Sequence, residues 1–285
     1  MNKISKQLYV RRFLVHNYLR LKNFLRYDSW VMFTGVDIET TSICNRKCKF
    51  CPNKFNNREK KLMTEDLFYK IINELSKINY CGRISPHLYG EPLLDSRLNK
   101  FIKYTRKKCP NSFIQVFSNG DYLTKKIFIN LIKAGTDLIF ITQYDGRINR
   151  NVRLVLDWIN KEKRWYRRNI LVRVPKTFEG NRAGLIKELR IKRPYVESCP
   201  LPFEKLAINY KGDILLCCND YYGKYPIGNC KKDSLLNIWR SKKFNQIRKI
   251  LKHRQRDKLS LCKDCNFRTE DYLIEEMAIW GEDKY

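Results

Sequence analysis

"TSICNRKCKFCPN", residues 41–53, places three cysteines within eight positions. Cys44, Cys48 and Cys51 have the spacing C-x3-C-x2-C, and the short strand-like stretch "GVDIET" delivers the chain to them. Structural zinc sites use four ligands, and a [4Fe–4S] cluster also has four iron corners, usually held by Cys thiolates. Three thiolates leave one iron corner without a protein ligand. The stretch therefore predicts a cluster with an open coordination site at which a small molecule can bind.

A zinc site is the alternative for these thiols, with Cys48-x2-Cys51 as one half and Cys262-x2-Cys265 as the other. The halves of a zinc ribbon are usually tens of residues apart, whereas these two pairs are separated by more than two hundred residues. The spacing therefore favours an iron–sulfur cluster, and the metal content of the purified protein distinguishes the two.

The composition predicts a folded cytoplasmic protein. The chain has 285 residues, of which 43% are hydrophobic and 13% aromatic, enough for a sizeable core. No apolar run reaches the roughly 20 residues that cross a bilayer, and the charged N-terminus does not fit a secretory signal peptide. Eleven cysteines in a reducing compartment indicate metal or redox chemistry rather than disulfides.

The charge is strongly positive, with 58 Lys and Arg against 29 Asp and Glu, a net charge of +29. Such a surface would suit an anionic small-molecule substrate or an acidic flavodoxin- or ferredoxin-like electron donor. A compositional bias that gives a solvated basic surface is the simpler explanation, because the charge is spread along the whole chain. No recognised nucleic-acid module stands out, so nucleic acid is not expected as a partner.

Strands and helices alternate from residue 35 onwards, which predicts a parallel sheet with crossover helices, closed or partly closed. The predicted helices are 63–78, 97–108, 124–133 and 148–164, and the predicted strands are 84–89, 113–118, 137–142 and 169–174. Residues 183–196 are predicted to hold a short helix and a last strand. Functional residues of such folds follow the C-terminal ends of the strands, where each motif described below falls.

The pattern divides the chain into three predicted regions: 1–34, 35–196 and 197–285. The first is a basic amphipathic helix that packs against the core or lies on a membrane surface. The second is the αβ core. The third is a smaller cysteine module with a β-hairpin in "LAINYKGDILLCC", a helix over 233–252 and a short helix near 270–280.

The cysteine loop and three later segments together resemble the radical S-adenosylmethionine (SAM) superfamily. Phe50 precedes the last cysteine of the loop, "YGEP" (89–92) matches a glycine-rich segment after the second strand, and "SNG" (118–120) matches a turn after the third. The fifth strand, "LVRVP", carries a candidate partner for the SAM carboxylate. The resemblance assigns SAM binding to Tyr89, Gly90, Glu91, Pro92, Ser118, Asn119 and Arg173.

The resemblance implies a partial (β/α)6 TIM-like barrel and a specific chemistry. Cys44, Cys48 and Cys51 would hold a [4Fe–4S] cluster whose open iron binds SAM. Reductive cleavage of SAM would yield methionine and a 5′-deoxyadenosyl radical, which abstracts a hydrogen atom from the substrate. The protein's part is to position the substrate and to exclude water and competing reactants.

The C-terminal cysteines resemble the SPASM/Twitch extension of that superfamily. Cys199 is followed by twelve residues, Gly212, four residues and Cys217, and then by 44 residues and Cys262-x2-Cys265. A full SPASM domain needs further cysteines after this last pair, and the sequence has none. The resemblance therefore implies the shorter Twitch form, with one auxiliary [4Fe–4S] cluster ligated by these four cysteines.

Two further cysteines leave alternatives open. Cys218 stands beside Cys217 and can replace it as a ligand, although the spacing from Gly212 favours Cys217. Cys230 is either an ordinary buried residue or a hydrogen-atom donor of the kind that some radical SAM epimerases need.

Several other side chains are candidates for the cavity. Arg182 in "EGNRAG" either binds a substrate hydroxyl or phosphate or lies on the surface. After the fourth strand, "QYD" (143–145) either lines the cavity or forms a turn. His87 falls within a predicted strand, where a buried structural histidine is a simpler interpretation than a catalytic base.

An auxiliary cluster with four protein ligands can accept the electron left on the substrate, which makes the reaction a two-electron oxidation. Because Twitch-type relatives include dehydrogenases of cyclitols and sugars, the resemblance implies an oxidoreductase acting on a small polyol, sugar or sugar nucleotide. Modification of a peptide or protein, including epimerisation, is the alternative among enzymes. A zinc-stabilised basic nucleic-acid-binding protein is the alternative from another class, but it leaves "YGEP" and "SNG" unexplained.

Overall fold

The computed structural model describes Leu21, Leu25 and residues 32–55, 57–178, 180–189 and 198–267. Its strands are β1 (Gly35–Ile38), β2 (Arg83–Ser85), β3 (Phe113–Ser118), β4 (Leu138–Thr142), β5 (Ile170–Arg173), β6 (Lys205–Ile208), β7 (Asp213–Leu215) and β8 (Pro226–Asn229). Its helices are α1 (Glu65–Lys77), α2 (Leu98–Lys108), α3 (Lys125–Ala134), α4 (Arg150–Glu162), α5 (Leu201–Glu204), α6 (Leu235–Arg240) and α7 (Lys242–Lys252).

The strands form one eight-stranded sheet in the order β5-β4-β3-β2-β1-β6-β7-β8. Strands β1 to β5 are parallel, and a helix from α1 to α4 connects each to the next. This is the arrangement of a parallel sheet with crossover helices. The predicted α/β class, a partial TIM-like barrel followed by a hairpin and helices, is confirmed.

The sixth parallel strand comes from the hairpin of the predicted cysteine module. Strand β6 pairs in parallel with β1, with Gly35 opposite Lys205, and β7 and β8 then continue the sheet in antiparallel fashion. The part of 183–196 that the structure describes contains a short 3₁₀ turn at Lys187–Leu189, and residues 190–196 lie outside the described residues. The hairpin therefore covers the β1 edge, which would otherwise present unpaired backbone groups.

The helices begin where the sequence provides caps. The Thr124 Oγ1 accepts a hydrogen bond from the Ile127 amide at 3.1 Å, and the Asn149 Oδ1 accepts one from the Val152 amide at 2.9 Å, as N-cap side chains do. The predicted helix 233–252 is two helices, because Ser241 is extended (ψ 149°) and its Oγ caps α7.

The C-terminal helices share the core of the sheet. Trp239 of α6 is fully buried, and its ring lies 5.2 Å from the rings of Phe33 and Phe244. The division at residue 196/197 stays a prediction. The predicted N-terminal helix falls outside the described residues except for Leu21 and Leu25, which are both exposed, and the predicted helix 270–280 also lies outside them.

Candidate functional site

The three-cysteine loop follows β1 and bends back on itself. The Cys51 amide donates to the Cys48 carbonyl at 3.0 Å, and the Arg46 amide donates to the Cys44 Sγ at 3.5 Å. The Phe50 ring stacks on Phe178 with its centroid at 3.7 Å. The loop thus turns all three thiols toward one cavity of about 250 Å³ at the C-terminal ends of the strands.

The "YGEP" segment lies directly against the start of this loop. The Glu91 amide donates to the Ile43 carbonyl at 2.8 Å. A Cβ on Gly90 would stand 2.1 Å from the Thr41 carbonyl oxygen, well inside van der Waals contact. Only glycine permits this approach, so Gly90 fixes the distance between the second strand end and the cysteine loop.

Glu91 joins the second and third strand ends. Its carboxylate accepts hydrogen bonds from the Leu93 amide at 3.0 Å, the Ser118 Oγ at 2.7 Å and the Asn119 amide at 2.8 Å. The side chain is buried, and burial raises the pKa of its carboxyl although the three donors oppose the shift. Glu91 therefore fixes the geometry of the cavity wall. Because three donors already occupy its carboxylate, a positioning role fits it better than direct catalysis.

Arg46, inside the cysteine loop, binds side chains that follow the third and fourth strands, β3 and β4. Its Nε and Nη2 bind the Asp121 carboxylate at 2.5 and 2.6 Å, and its Nη1 binds Asp145 at 2.9 Å. Asn45 reinforces the link through Asp121 at 2.7 Å and Asn119 at 2.9 Å. Bidentate pairs of this kind fix orientation as well as distance.

A buried ion pair connects the end of β1 to the hairpin. Glu39 binds Arg58 through both carboxylate oxygens at 2.5 and 2.6 Å and accepts a bond from the Tyr210 amide at 3.1 Å. The Arg58 guanidinium also lies over the rings of Tyr89 and Tyr221 at 4.7 and 5.1 Å. This group holds the aromatic wall of the cavity against the hairpin that carries the later cysteines.

The cavity collects nearly all of the residues that the sequence assigned to it. The predicted residues that line it are Cys44, Cys48, Cys51, Tyr89, Gly90, Glu91, Ser118, Asn119, Tyr144, Arg173 and Arg182. Pro92 is buried in a 3₁₀ turn behind the wall. Gln143 donates to the Asn119 carbonyl, and Asp145 binds Arg46, so both support the wall from outside.

The other four predicted ligands line a second, smaller and mostly apolar cavity. These residues are Cys199, Cys217, Cys262 and Cys265. Cys218 lies on the wall of the first cavity, not the second. The adjacent cysteines thus face different cavities, and the geometry favours Cys217 over Cys218 for the auxiliary set.

Burial keeps these thiols protonated in the absence of metal. It raises the pKa of Cys44 to about 11 and the pKa values of Cys199 and Cys262 to about 12. Metal binding offsets this cost by stabilising the thiolate, so loading couples to proton release. Among the described residues no group of three or more His, Cys, Asp and Glu side chains is arranged to hold a single metal ion. A cluster instead takes one thiolate at each of several irons. The four soft sulfur donors around the apolar second cavity fit such a cluster.

The positions of Cys230 and His87 bear on the alternatives that the sequence left open for them. Cys230 is fully buried in the core next to Gly212 and does not line the cavity, so a role as hydrogen-atom donor to a substrate there does not fit its position. His87 lies beyond the end of β2 rather than within a strand, and it lines the cavity. The strand ends two residues before it. In the sequence "ISPHLYG" (84–90), Pro86 is the signal for that early strand end.

Arg182 projects from an unusual turn. Arg182, Ala183 and Gly184 all have positive φ, at 50°, 53° and 80°, which costs a non-glycine residue roughly 1–2 kcal/mol. Asn181, fully buried, secures the turn. Its Nδ2 donates to the Asp264 carbonyl at 2.7 Å, and its Oδ1 accepts from the amides of Gly184 and Asn266 at 3.1 and 3.2 Å.

The turn also touches the auxiliary thiols. The Asn266 Oδ1 accepts a bond from the Asn181 amide at 2.8 Å, which makes the link between the two asparagines reciprocal. Burial raises the pKa of Cys265, and hydrogen bonds from the Phe267 and Ala183 amides oppose that shift. One turn therefore connects the substrate-side Arg182 to the "CKDC" loop.

Comparison with known proteins identifies the family. A model described as the radical SAM superfamily matches residues 38–169, and one described as an iron–sulfur cluster-binding domain, SPASM, matches residues 199–266. The chain is 32% identical over 238 residues to "S-adenosyl-L-methionine-dependent 2-deoxy-scyllo-inosamine dehydrogenase" of Niallia circulans, covering 82% of this chain and 93% of that protein. The chain belongs to the radical SAM superfamily.

Solved structures of the superfamily agree. The crystal structure of BtrN in complex with AdoMet and 2-DOIA has a TM-score of 0.75 and 31% identity to this chain, over 83% of this chain and 94% of BtrN. Native anSMEcpe with bound AdoMet shares the fold at a TM-score of 0.56 and 12% identity, over 82% of this chain and 89% of its own.

This radical SAM protein is an oxidoreductase that uses SAM and [4Fe–4S] clusters. The alternative of a zinc-stabilised nucleic-acid-binding protein is wrong. The three-cysteine loop lies in the part of the chain that matches the radical SAM model, and Cys199, Cys217, Cys262 and Cys265 lie in the part that matches the iron–sulfur cluster-binding domain.

Proposed function

We propose that this enzyme oxidises a secondary alcohol of a small polyol, sugar or sugar nucleotide to a ketone. The observation that carries the proposal is the placement of Cys217 and Cys218, adjacent residues that face the second and the first cavity. The set of four thiols therefore lies directly behind the substrate cavity, where a cluster can accept an electron over a short distance.

In this proposal Cys44, Cys48 and Cys51 ligate the cluster that SAM completes, and Cys199, Cys217, Cys262 and Cys265 ligate the auxiliary cluster. Tyr89, Gly90, Ser118, Asn119 and Arg173 bind SAM. Glu91, which lines the cavity, holds the wall through its hydrogen bonds, and Pro92 supports the wall from behind. Arg182 contacts the substrate.

The electron count fits an oxidation. SAM would supply the radical chemistry that removes one hydrogen atom from the carbon that bears the hydroxyl. A cluster held by Cys199, Cys217, Cys262 and Cys265 would take up one electron while the substrate hydroxyl loses its proton, so that the change from alcohol to ketone is a two-electron oxidation. The buried surroundings of the cavity limit side reactions of the radical intermediate.

The relative from Niallia circulans supports this reaction class. That protein is, by its name, a dehydrogenase of 2-deoxy-scyllo-inosamine. A small molecule therefore also fits as the substrate here, and the basic surface suits a phosphorylated one.

An external donor must reduce the SAM-binding cluster. An acidic flavodoxin- or ferredoxin-like protein would suit the net charge of +29, since complementary charge speeds association. Membrane-surface contact through residues 1–34 and a cytoplasmic location stay predictions. In the described part of the chain no helix combines the length and the apolar character of a membrane span.

The test is anaerobic. The purified, reconstituted enzyme is reduced with dithionite and given SAM and a panel of polyols that carry deuterium at their carbinol carbons. We expect about eight irons per chain from two cubane clusters, transfer of deuterium into 5′-deoxyadenosine, and a ketone detectable by mass spectrometry after oxime formation. Deuterium transfer with an epimerised but unoxidised product would refute the dehydrogenase assignment.

A further inference from the structure

A groove of about 640 Å³ lies beside the three-cysteine loop, and we call it the outer groove. It shares Phe50 and Tyr144 with the first cavity. The Phe50 ring packs on the rings of Tyr144 and Phe178, at 5.2 and 3.7 Å between centroids, and Phe178 also lines the groove. These rings therefore form a wall between the outer groove and the cavity that Cys48 and Cys51 line.

The cysteine loop itself contributes to the groove. Lys49 stands between Cys48 and Cys51 in the sequence, and the Lys54 amide donates to the Cys51 carbonyl at 3.0 Å. Lys49 and Lys54 both line the groove. An electron that enters from the groove therefore crosses this loop and its aromatic wall to reach the thiols that would hold the SAM-binding cluster. Short paths matter, because electron transfer slows steeply with distance.

The lining of the outer groove is basic. Its charged residues are Lys49, Lys54, Lys176 and Glu188. Glu188 binds Lys54 at 3.2 Å, whereas Lys49 and Lys176 are exposed, and no ion pair joins either of them to another described residue. Two exposed cations at the edge of an apolar groove resemble a small protein interface, which has an apolar centre and a polar rim. An acidic partner would complement this charge.

The auxiliary module has a matched loop whose charge is less suitable. Lys263 lies between the last two cysteines as Lys49 lies between Cys48 and Cys51, and it is also exposed. Asp264, exposed beside it, offsets its charge, and among the described residues neither of the two lines the second cavity. The outer groove combines positive charge with apolar surface, whereas this loop presents a cation next to an anion.

We propose that the outer groove is the docking site of the external electron donor, an acidic one-electron carrier protein. Lys49 and Lys176 are its charge contacts, and Phe50 and Phe178 are its apolar contact. The inference rests on the proposed function for the need of a donor. In the transfer the carrier is oxidised by one electron, which is taken up at the three-cysteine loop, and no covalent bond changes. Electron-transfer encounters use small interfaces, so a groove of this size is sufficient.

The experiment is anaerobic stopped-flow spectroscopy of the reconstituted holoenzyme with SAM. A reduced flavodoxin is the probe, and its flavin absorbance reports the rate of electron transfer. Lys49→Glu and Lys176→Glu should each slow this transfer about fivefold to tenfold at low salt. The difference should vanish near 1 M salt, where the screening length is about 3 Å. Reduction by dithionite should stay within about twofold of the unchanged enzyme, since a small reductant needs no docking.

Two matched variants separate the docking site from the general basic charge. Lys263→Glu makes the same charge change between the last two cysteines, and Lys232→Glu makes it at another exposed position. We expect both to transfer electrons within about twofold of the unchanged enzyme, and iron content checks that each variant is folded. A larger effect in Lys263→Glu than in Lys49→Glu, or equal slowing in all four variants, would overturn the docking site.

Two further readouts make the result specific. SAM affinity, measured by equilibrium dialysis without reductant, should be unchanged in Lys176→Glu. A parallel loss of SAM affinity would assign the groove to the SAM cavity and would also overturn the proposal. Slower transfer in Lys49→Glu and Lys176→Glu, with no ketone formed from any polyol of the panel, would support the docking site and count against the proposed reaction.

Discussion

Asn181 offers a sharp test of the turn that links the substrate cavity to the auxiliary thiols. Its side chain makes three buried hydrogen bonds, to the Asp264 carbonyl and to the amides of Gly184 and Asn266. Asn181→Ala removes all three and leaves their backbone partners unpaired. At roughly 1 kcal/mol for each bond, the turn should lose about 3 kcal/mol, which is comparable with the strain of roughly 1–2 kcal/mol at each of its two left-handed non-glycine residues, Arg182 and Ala183.

The loss should appear first at the auxiliary cluster. We expect Asn181→Ala to retain the SAM-binding cluster but to lose much of the auxiliary iron, so iron per chain falls from about eight toward four. Cleavage of SAM should continue while ketone formation falls. Asn181→Asp separates the two kinds of bond: it keeps both acceptor bonds but places a carboxylate oxygen against the Asp264 carbonyl, so it tests the donor bond and the cost of a buried charge together.

Iron analysis, electron paramagnetic resonance of the reduced enzyme and the ratio of ketone to 5′-deoxyadenosine measure these effects. A general loss of stability would lower both clusters together. Full iron, an unchanged spectrum and an unchanged product ratio in Asn181→Ala would refute the assignment of the turn as a positioning element.

Three further changes have defined outcomes. Arg58→Met leaves the buried Glu39 carboxylate without its ion-pair partner, so it should lower the free energy of unfolding of the metal-free chain in urea by about 3–5 kcal/mol. The double variant with Glu39→Gln should regain most of that stability. Cys217→Ser should remove auxiliary iron while Cys218→Ser should not, and equal iron loss in both would contradict the two-cavity placement. Burial, with nearby Arg side chains, lowers the pKa of His87 to about 4 from 6.5. The unfolded chain therefore binds more protons than the folded chain below pH 6.5, so stability falls as the pH is lowered. His87→Asn should remove up to about 2 kcal/mol of that destabilisation between pH 6.5 and 5 in urea melts. Identical pH dependence in both proteins would contradict a neutral histidine at this position of the cavity wall.

Local signals in the sequence were sufficient for most of the fold. Each predicted crossover helix is present within about two residues of its bounds, because helix signals such as the cap residues Thr124 and Asn149 lie within the helix or next to it. The spacing of Cys44, Cys48 and Cys51 likewise predicted thiols that share a cavity, because a short loop has local geometry. The set of Cys199, Cys217, Cys262 and Cys265 came from the resemblance to the SPASM/Twitch extension.

Features set by distant pairing were not predictable in the same way. The hairpin strand β6 pairs with β1 and not with β5, the strand at the other edge of the parallel sheet. The residues 205–208 contain no local signal for that choice of partner. The position of His87 depends on where β2 ends, and the opposite directions of Cys217 and Cys218 depend on the turn after β7. The partner of β6, the end of β2 and the directions of the two cysteines follow from tertiary packing, which the pattern of apolar residues along the sequence does not indicate.

The pairing of β6 with β1 also constrains how the chain is made. Thr34 and Glu204, joined at this seam, are 170 residues apart in sequence, so a ribosome must release most of the protein before the first strand gains its second neighbour. Contacts of such long range slow folding, and until they form the edge of β1 is open to other nascent chains. Shielding of that edge during synthesis should therefore raise the yield of folded chain.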